Sequence, residues 1–171
     1  MGLDHLGAFG YGGDDWRVFD RRSFAVQRVI DGDTFVVWHG ADEVTVGLLG
    51  VAAPQLPAAH WAENAKAYLS GRTLGKTVSL RLDTTRSRDE RGRLLAYVYI
   101  NDGDLLNADI IRDAQAFADR RVKHSMHGPF EQAENEARKK SRGMWKGMHD
   151  EEMPSWRREW LKSLRDAKRS P

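Results

Sequence analysis

Asp31 and Asp33 stand two residues apart in the stretch VIDGDTF. A glycine turn that projects two carboxylates from strand ends suits a hard cation such as Ca²⁺, which takes roughly six to eight oxygen ligands and accepts carboxylates and carbonyls together. Ordinary hairpin chemistry accounts for the same residues, because Asp and Gly are what tight turns prefer. A second cluster, TTRSRDERGRLLAYVYI, places Arg86, Arg88, Arg91 and Arg93 in a loop that leads into a strand. Planar guanidinium forks bind phosphate oxygens bidentately, so such a row beside a carboxylate site fits phosphodiester chemistry. Asp89 and Glu90 in the same loop leave a solvated, self-neutralising segment as the plainer alternative. Between the clusters lies VTVGLLGVAAPQ, Val44 to Gln55, whose polar side chains are Thr45 and Gln55 alone. It offers the aspartates no carboxylate partner.

The elements that must position these groups follow from periodicity. Phe24 to Ile30 has a partial period of two through Phe24 and Val26, less cleanly through Arg28 and Ile30, and Thr34 to Trp38 is β-branched and aromatic. Both read as strands joined at the IDGD turn, with Val44 to Val51 a third, apolar enough to be buried on both faces. Thr77 to Leu82 and Leu94 to Ile100 complete five strands, a pattern that fits a small antiparallel barrel. An inserted helix puts Trp61, Ala65, Tyr68 and Leu69 on one face and stops at Gly71. Helices are also predicted over Leu105 to Ala116, Phe130 to Ser141 and, with Ser155 as N-cap, the segment SWRREWLKSLRDAKR. Trp156, Trp160, Leu161 and Leu164 form a stripe on the last helix that must bury against the chain's own body or against a partner. The fold class is therefore α+β, mainly β: a five-stranded barrel over residues 23–147, an irregular arm over 1–22 and a helical extension over 148–171. Phe9, Tyr11, Trp16 and Phe19 are the aromatics expected to pin the arm.

Composition narrows the setting. The 171 residues are 40% hydrophobic and 30% charged, and no apolar run approaches a bilayer span. A net charge of +2 and a pI near 9.0 permit an anionic partner without demanding one. The absence of cysteine excludes disulfides, thiolate nucleophiles and Cys-ligated zinc. MGLDHLGAFGYGGDDW lacks a basic and then apolar leader, so a cytoplasmic monomer is expected.

In order, the strand with DGDT, the strand ending in LLGVAAP, the helix, the strand, RDERGRLLAYVY and LNADIIRDA resemble the staphylococcal nuclease (thermonuclease-like) family, over roughly Phe24 to Trp145. The resemblance implies an OB-fold barrel of five strands with helices packed on it. It also implies Ca²⁺-dependent hydrolysis of DNA and RNA, with two aspartates as metal ligands, a glutamate proposed as general base and two arginines on the scissile phosphate. One metal aspartate carries over to Asp33 and one arginine to Arg93. The others do not: an ungapped match puts Gly47 at the first arginine, Ala52 at the second aspartate and Gln55 at the glutamate. Arg120 and Val122 stand where the bacterial prototype has substrate-stacking tyrosines, and Arg91 replaces a further tyrosine.

Since the residues replaced are the functional ones and those kept are structural, the expectation is a pseudo-nuclease that holds Ca²⁺ weakly or not at all. Its barrel surface would bind single-stranded DNA or RNA through Arg86, Arg88, Arg91, Arg93 and Arg120, or else bind a protein partner. The alternative is an active metal-dependent phosphodiesterase with a rewired site, for which His60, His124 and His127 are the candidate replacements as ligand or base.

Overall fold

The computed structural model describes residues 14–101 and 103–169; the arm's first thirteen residues, with Phe9 and Tyr11, and Asp102 of the expected turn lie outside them. The chain runs α1 (Asp15–Phe19), β1 (Arg22–Val29), β2 (Thr34–His39), β3 (Asp42–Leu48), β4 (Val51–Ala52), α2 (Ala59–Thr73) and β5 (Thr77–Arg81). It continues through β6 (Leu94–Ile100), β7 (Asp104–Leu105), α3 (Leu106–Arg112), β8 (Phe117–Ala118), α4 (His127–Lys139) and α5 (Ser155–Arg169).

Strands β3, β2, β1, β5 and β6 neighbour one another in that order, and β6 returns to pair in parallel with β3 through Val46↔Leu94, Gly47↔Leu95 and Leu48↔Ala96. This closure makes the five-stranded barrel. β7 is a short addition at the β6 edge. The interior is filled by Phe24, Val26, Phe35, Val37, Val46, Leu80, Leu94 and Val98, and α3 lays Ile110 and Ile111 against it. The period of two in β1 fails after Val26 because the register with β2 shifts between Val26 and Arg28. Such a bulge turns the following side chains, and Ile30 is accordingly 43% exposed.

Several boundaries differ from the periodic reading, among them α4, which runs from His127 to Lys139 rather than from Phe130 to Ser141. The arm is helical at Asp15–Phe19, where buried Asp15 accepts from Arg88 and from the Ser87 hydroxyl. Val44 to Val51 is broken at Gly50, whose φ of +75° turns the chain so that β4 leaves the barrel and pairs with β8. α2 runs past exposed Gly71 to Thr73, since the turn is made at Gly75, with φ +73°. α3 ends at Arg112, before Ala114 adopts a φ of +55°.

α5 begins at Ser155, and the Pro154 carbonyl accepts its first amides. Its expected stripe is rotated by a residue. The most buried side chain is Arg157, fully enclosed, while Trp156, Trp160 and Leu161 are half-buried and Leu164 is exposed. Arg157 donates to Glu134 Oε1 at 2.8 Å and Oε2 at 3.1 Å, and its guanidinium lies 4.9 Å from the Phe117 ring centre and 5.0 Å from that of Trp145. The helix therefore docks on the chain's own α4 and β8.

Candidate active site

The turn that carries the two aspartates is fixed from three sides. Asp31 Oδ1 accepts the Asp33 amide at 3.0 Å, and the Thr34 carbonyl accepts the amides of Ile30 and Asp31. Gly32 is required here because a Cβ would come within 2.5 Å of Ala65 Cβ on α2 and 2.8 Å of Ala53 Cβ. α2 thus presses directly on the turn and leaves Asp33 buried. Asp33 Oδ2 accepts the Ala53 N–H at 2.7 Å; Oδ1 accepts the Thr34 hydroxyl at 2.8 Å and Arg93 Nη1 at 3.3 Å. Burial, then the neighbouring Asp31 charge, push the Asp33 carboxyl above its usual range, although these donors pull the other way.

Arg93 enters from the first turn of the strand pair across the barrel. Its Nε donates to Asp89 Oδ2 at 2.6 Å and its Nη1 to the Thr34 hydroxyl at 2.5 Å. Burial alone would lower its pKa, but Asp89 and Asp33 outweigh that and raise it, so Arg93 is a permanent cation. Gly47 pairs with Thr34 on one side and Leu95 on the other, and a Cβ on it would sit 3.4 Å from Arg93 Cζ. A side chain at position 47 would meet Leu95 and the Arg93 guanidinium.

These groups open on a cavity of about 780 Å³. Ala52, Ala53 and Gln55 line it with Asp31, Asp33 and Arg93, so the segment lacking polar groups does face the aspartates. Ala52 is held by backbone pairing to Phe117, and Gln55 is exposed. Arg86 and Arg91 line the same cavity, and neither side chain makes a hydrogen bond or ion pair among the described residues.

Two other expected members are elsewhere. Arg88 is bound to Asp15 through Nε at 2.9 Å and Nη2 at 2.7 Å and to the Gly92 carbonyl through Nη1. Arg120 is bound to Glu131 and Glu134 and covers the Trp160 ring at 4.1 Å, 11% exposed. Both guanidiniums are committed to internal carboxylates. Residues that the periodicity argument passed over take part instead: Asp119, Arg121, Trp156 and Arg158 line the cavity. Alternation past β8 was the available signal, since a strand that turns Arg120 toward α4 turns Asp119 and Arg121 the other way. Arg121 donates to Asp119 from Nε at 2.9 Å and from Nη2 at 2.8 Å.

None of the three candidate histidines lines the cavity. His60 contacts Asn64 on exposed α2, and His127 pairs with Glu131. His124 is buried with Nδ1 2.9 Å from the Tyr97 hydroxyl, and its Nε2 covers the Gly50 turn so closely that a Cβ there would overlap it. Tyr97 in turn donates to Asp83 Oδ2 at 3.0 Å and accepts the Met126 amide. Burial, then nearby His127, lower the His124 pKa, so the ring is a neutral packing group bridging β6 to the turn. Among the described residues no group of three or more His, Asp or Glu is arranged to hold a metal ion.

A family model described as staphylococcal nuclease homologue matches residues 45–147. The chain belongs to the staphylococcal nuclease family. Its relatives include a protein named thermonuclease from Staphylococcus intermedius, 30% identical over 129 residues that cover 72% of this chain and 76% of the relative. An uncharacterized endonuclease of Escherichia coli is 32% identical over 133 residues, 77% of this chain and 80% of the relative. A protein named ParB, also from Escherichia coli, is 31% identical over 142 residues, 78% of each. Asp33, Ala52, Gln55 and Arg93 line the one cavity, and Gly47 abuts Arg93. Among the described residues, no helix is long and apolar enough to cross a membrane.

Proposed function

We propose that this chain is a staphylococcal-nuclease-like module that binds single-stranded nucleic acid in the arginine-lined cavity without Ca²⁺-dependent hydrolysis. The observation that carries the reading is the state of Asp33: both its oxygens accept donors from Ala53, Thr34 and Arg93, and the family positions around it hold Gly47, Ala52 and Gln55. The donor set does not fit Ca²⁺. A cation that seeks roughly six to eight oxygens would meet Asp33, both of whose oxygens are already committed, and Asp31, which holds the Asp33 amide, with no carboxylate at position 52. Gln55 can orient a water through its amide but cannot accept a proton at neutral pH, so no general base stands at that position. Gly47 removes a guanidinium that would meet charge developing on the phosphate, a loss that typically costs about a hundred- to a thousandfold in rate.

Binding is supported by the cations that remain. Arg86 and Arg91 make no ion pair among the described residues, and Arg93 is held with Nη2 outside the contacts to Asp89, Asp33 and Thr34. The names thermonuclease and endonuclease among the relatives favour nucleic acid over a protein as the ligand. The test is titration of a fluorescent single-stranded oligonucleotide across a salt series. Each phosphate neutralised contributes about −0.7 to the slope of log K against log salt on single strands. A slope between about −1.4 and −2.1 is expected from two or three contacts. No retention even at low salt would refute nucleic-acid binding and point to a protein partner.

A further inference from the structure

We infer that the C-terminal extension is part of the binding surface, with Arg158 as a phosphate contact for single-stranded nucleic acid. This rests on the reading of the cavity as a nucleic-acid site. The family match ends at residue 147, yet the chain returns to the cavity afterwards: Met153, Pro154, Trp156 and Arg158 line it together with Arg86 and Arg91. The return is enforced rather than incidental. Arg157 is fully buried between them in sequence and locked to Glu134, which fixes the helical phase of α5, and Trp156 and Arg158, about 100° to either side of it, both line the cavity.

The two neighbours differ in what they have left to offer. Trp156 is half-buried, with the Phe117 ring edge-on at 6.3 Å and the Arg121 guanidinium over its ring at 4.9 Å, while Arg121 is itself held by Asp119. That side is a built stack. Arg158 is exposed, and its guanidinium makes no hydrogen bond, ion pair or ring contact among the described residues. Carboxylates line the cavity too, and Asp89 holds Arg93 while Asp119 holds Arg121, so the guanidiniums with no ion pair among the described residues, and therefore open to a polyanion, are those of Arg86, Arg91 and Arg158. A strand entering the cavity would therefore meet guanidiniums from the barrel loops and from α5. Phosphate is the group that suits them, since it accepts a bidentate fork.

The experiment compares wild type, Arg158→Ala and Arg165→Ala for binding a short single-stranded oligonucleotide over a salt series. Arg165 lies on the same helix, is exposed and does not line the cavity. Arg158→Ala is expected to make the slope of log K against log salt shallower by about 0.7, so that a tenfold drop in salt gains wild type about fivefold more affinity than the variant. Arg165→Ala is expected to match wild type, and Arg158→Lys to keep the slope while losing the bidentate fit. If wild type binds and Arg158→Ala behaves as Arg165→Ala does, the role of the extension is overturned while the cavity reading survives. If wild type does not bind, both fall.

Discussion

Truncating Arg157 should cost the fold more than any other single change in the C-terminal helix, and the structure sets the size. Its side chain is fully buried, makes two bonds to Glu134 and packs its guanidinium against Phe117, Trp145 and, at 5.5 Å, Trp160. Removing one partner of a buried pair typically costs about 3–5 kcal/mol, because the other charge is left enclosed. Here Glu134 would keep Arg120 at 3.0 Å and the Ala118 amide at 3.1 Å, so Arg157→Ala belongs at the low end, about 3 kcal/mol. Glu134→Ala is the harsher change. It strands Arg157 completely and leaves Arg120 with Glu131 alone, which places it near the upper end, about 5 kcal/mol. Urea unfolding of both variants followed by circular dichroism measures the two losses. An Arg157→Ala cost below about 1 kcal/mol, or an Arg157→Ala cost exceeding that of Glu134→Ala, would refute the shared-carboxylate argument.

Two further outcomes follow from the Gly50 turn and its histidine. Gly50→Ala should lower the melting temperature, since φ is +75° and the new Cβ would overlap the His124 ring, whereas Gly71→Ala, in an exposed helical position with open space, should raise it by removing a helix glycine; equal effects of the same sign would contradict this. His124 has a folded pKa below its unfolded value near 6.5, so the unfolded chain takes up the proton first as pH falls. The stability that wild type holds over His124→Gln should be complete above about pH 7 and shrink as pH drops through 6.5 toward the folded value. A difference that is constant or grows between pH 7.5 and pH 5.5 would contradict the buried neutral ring.

The barrel was legible in the sequence because its five strands carry β-branched and aromatic runs punctuated by glycine turns, and β5 and β6 fall where periodicity puts them. Boundaries were lost where a single backbone angle decides them. Gly50 reads as one more small residue in an apolar run, and only its positive φ, with His124 lying over it, divides β3 from β4. The site was legible in part. Asp33, Arg93 and the positions at 47, 52 and 55 come together across strands that the order of motifs already paired. Arg88 and Arg120 defeated a reading by composition, since a guanidinium that answers Asp15 or Glu134 looks the same in sequence as one left free. Arg157 is the clearest case: a charged residue inside an amphipathic helix scores as solvent-facing, and its burial depends on a carboxylate more than twenty residues away that only the packing of α4 supplies.

Whether Asp33 still supports hydrolysis decides what the cavity does. Purified protein incubated with single-stranded DNA in millimolar Ca²⁺ is predicted to leave the strand intact, with Asp33→Ala indistinguishable from wild type in the same assay. Ca²⁺-dependent cleavage by wild type that Asp33→Ala abolishes would contradict it.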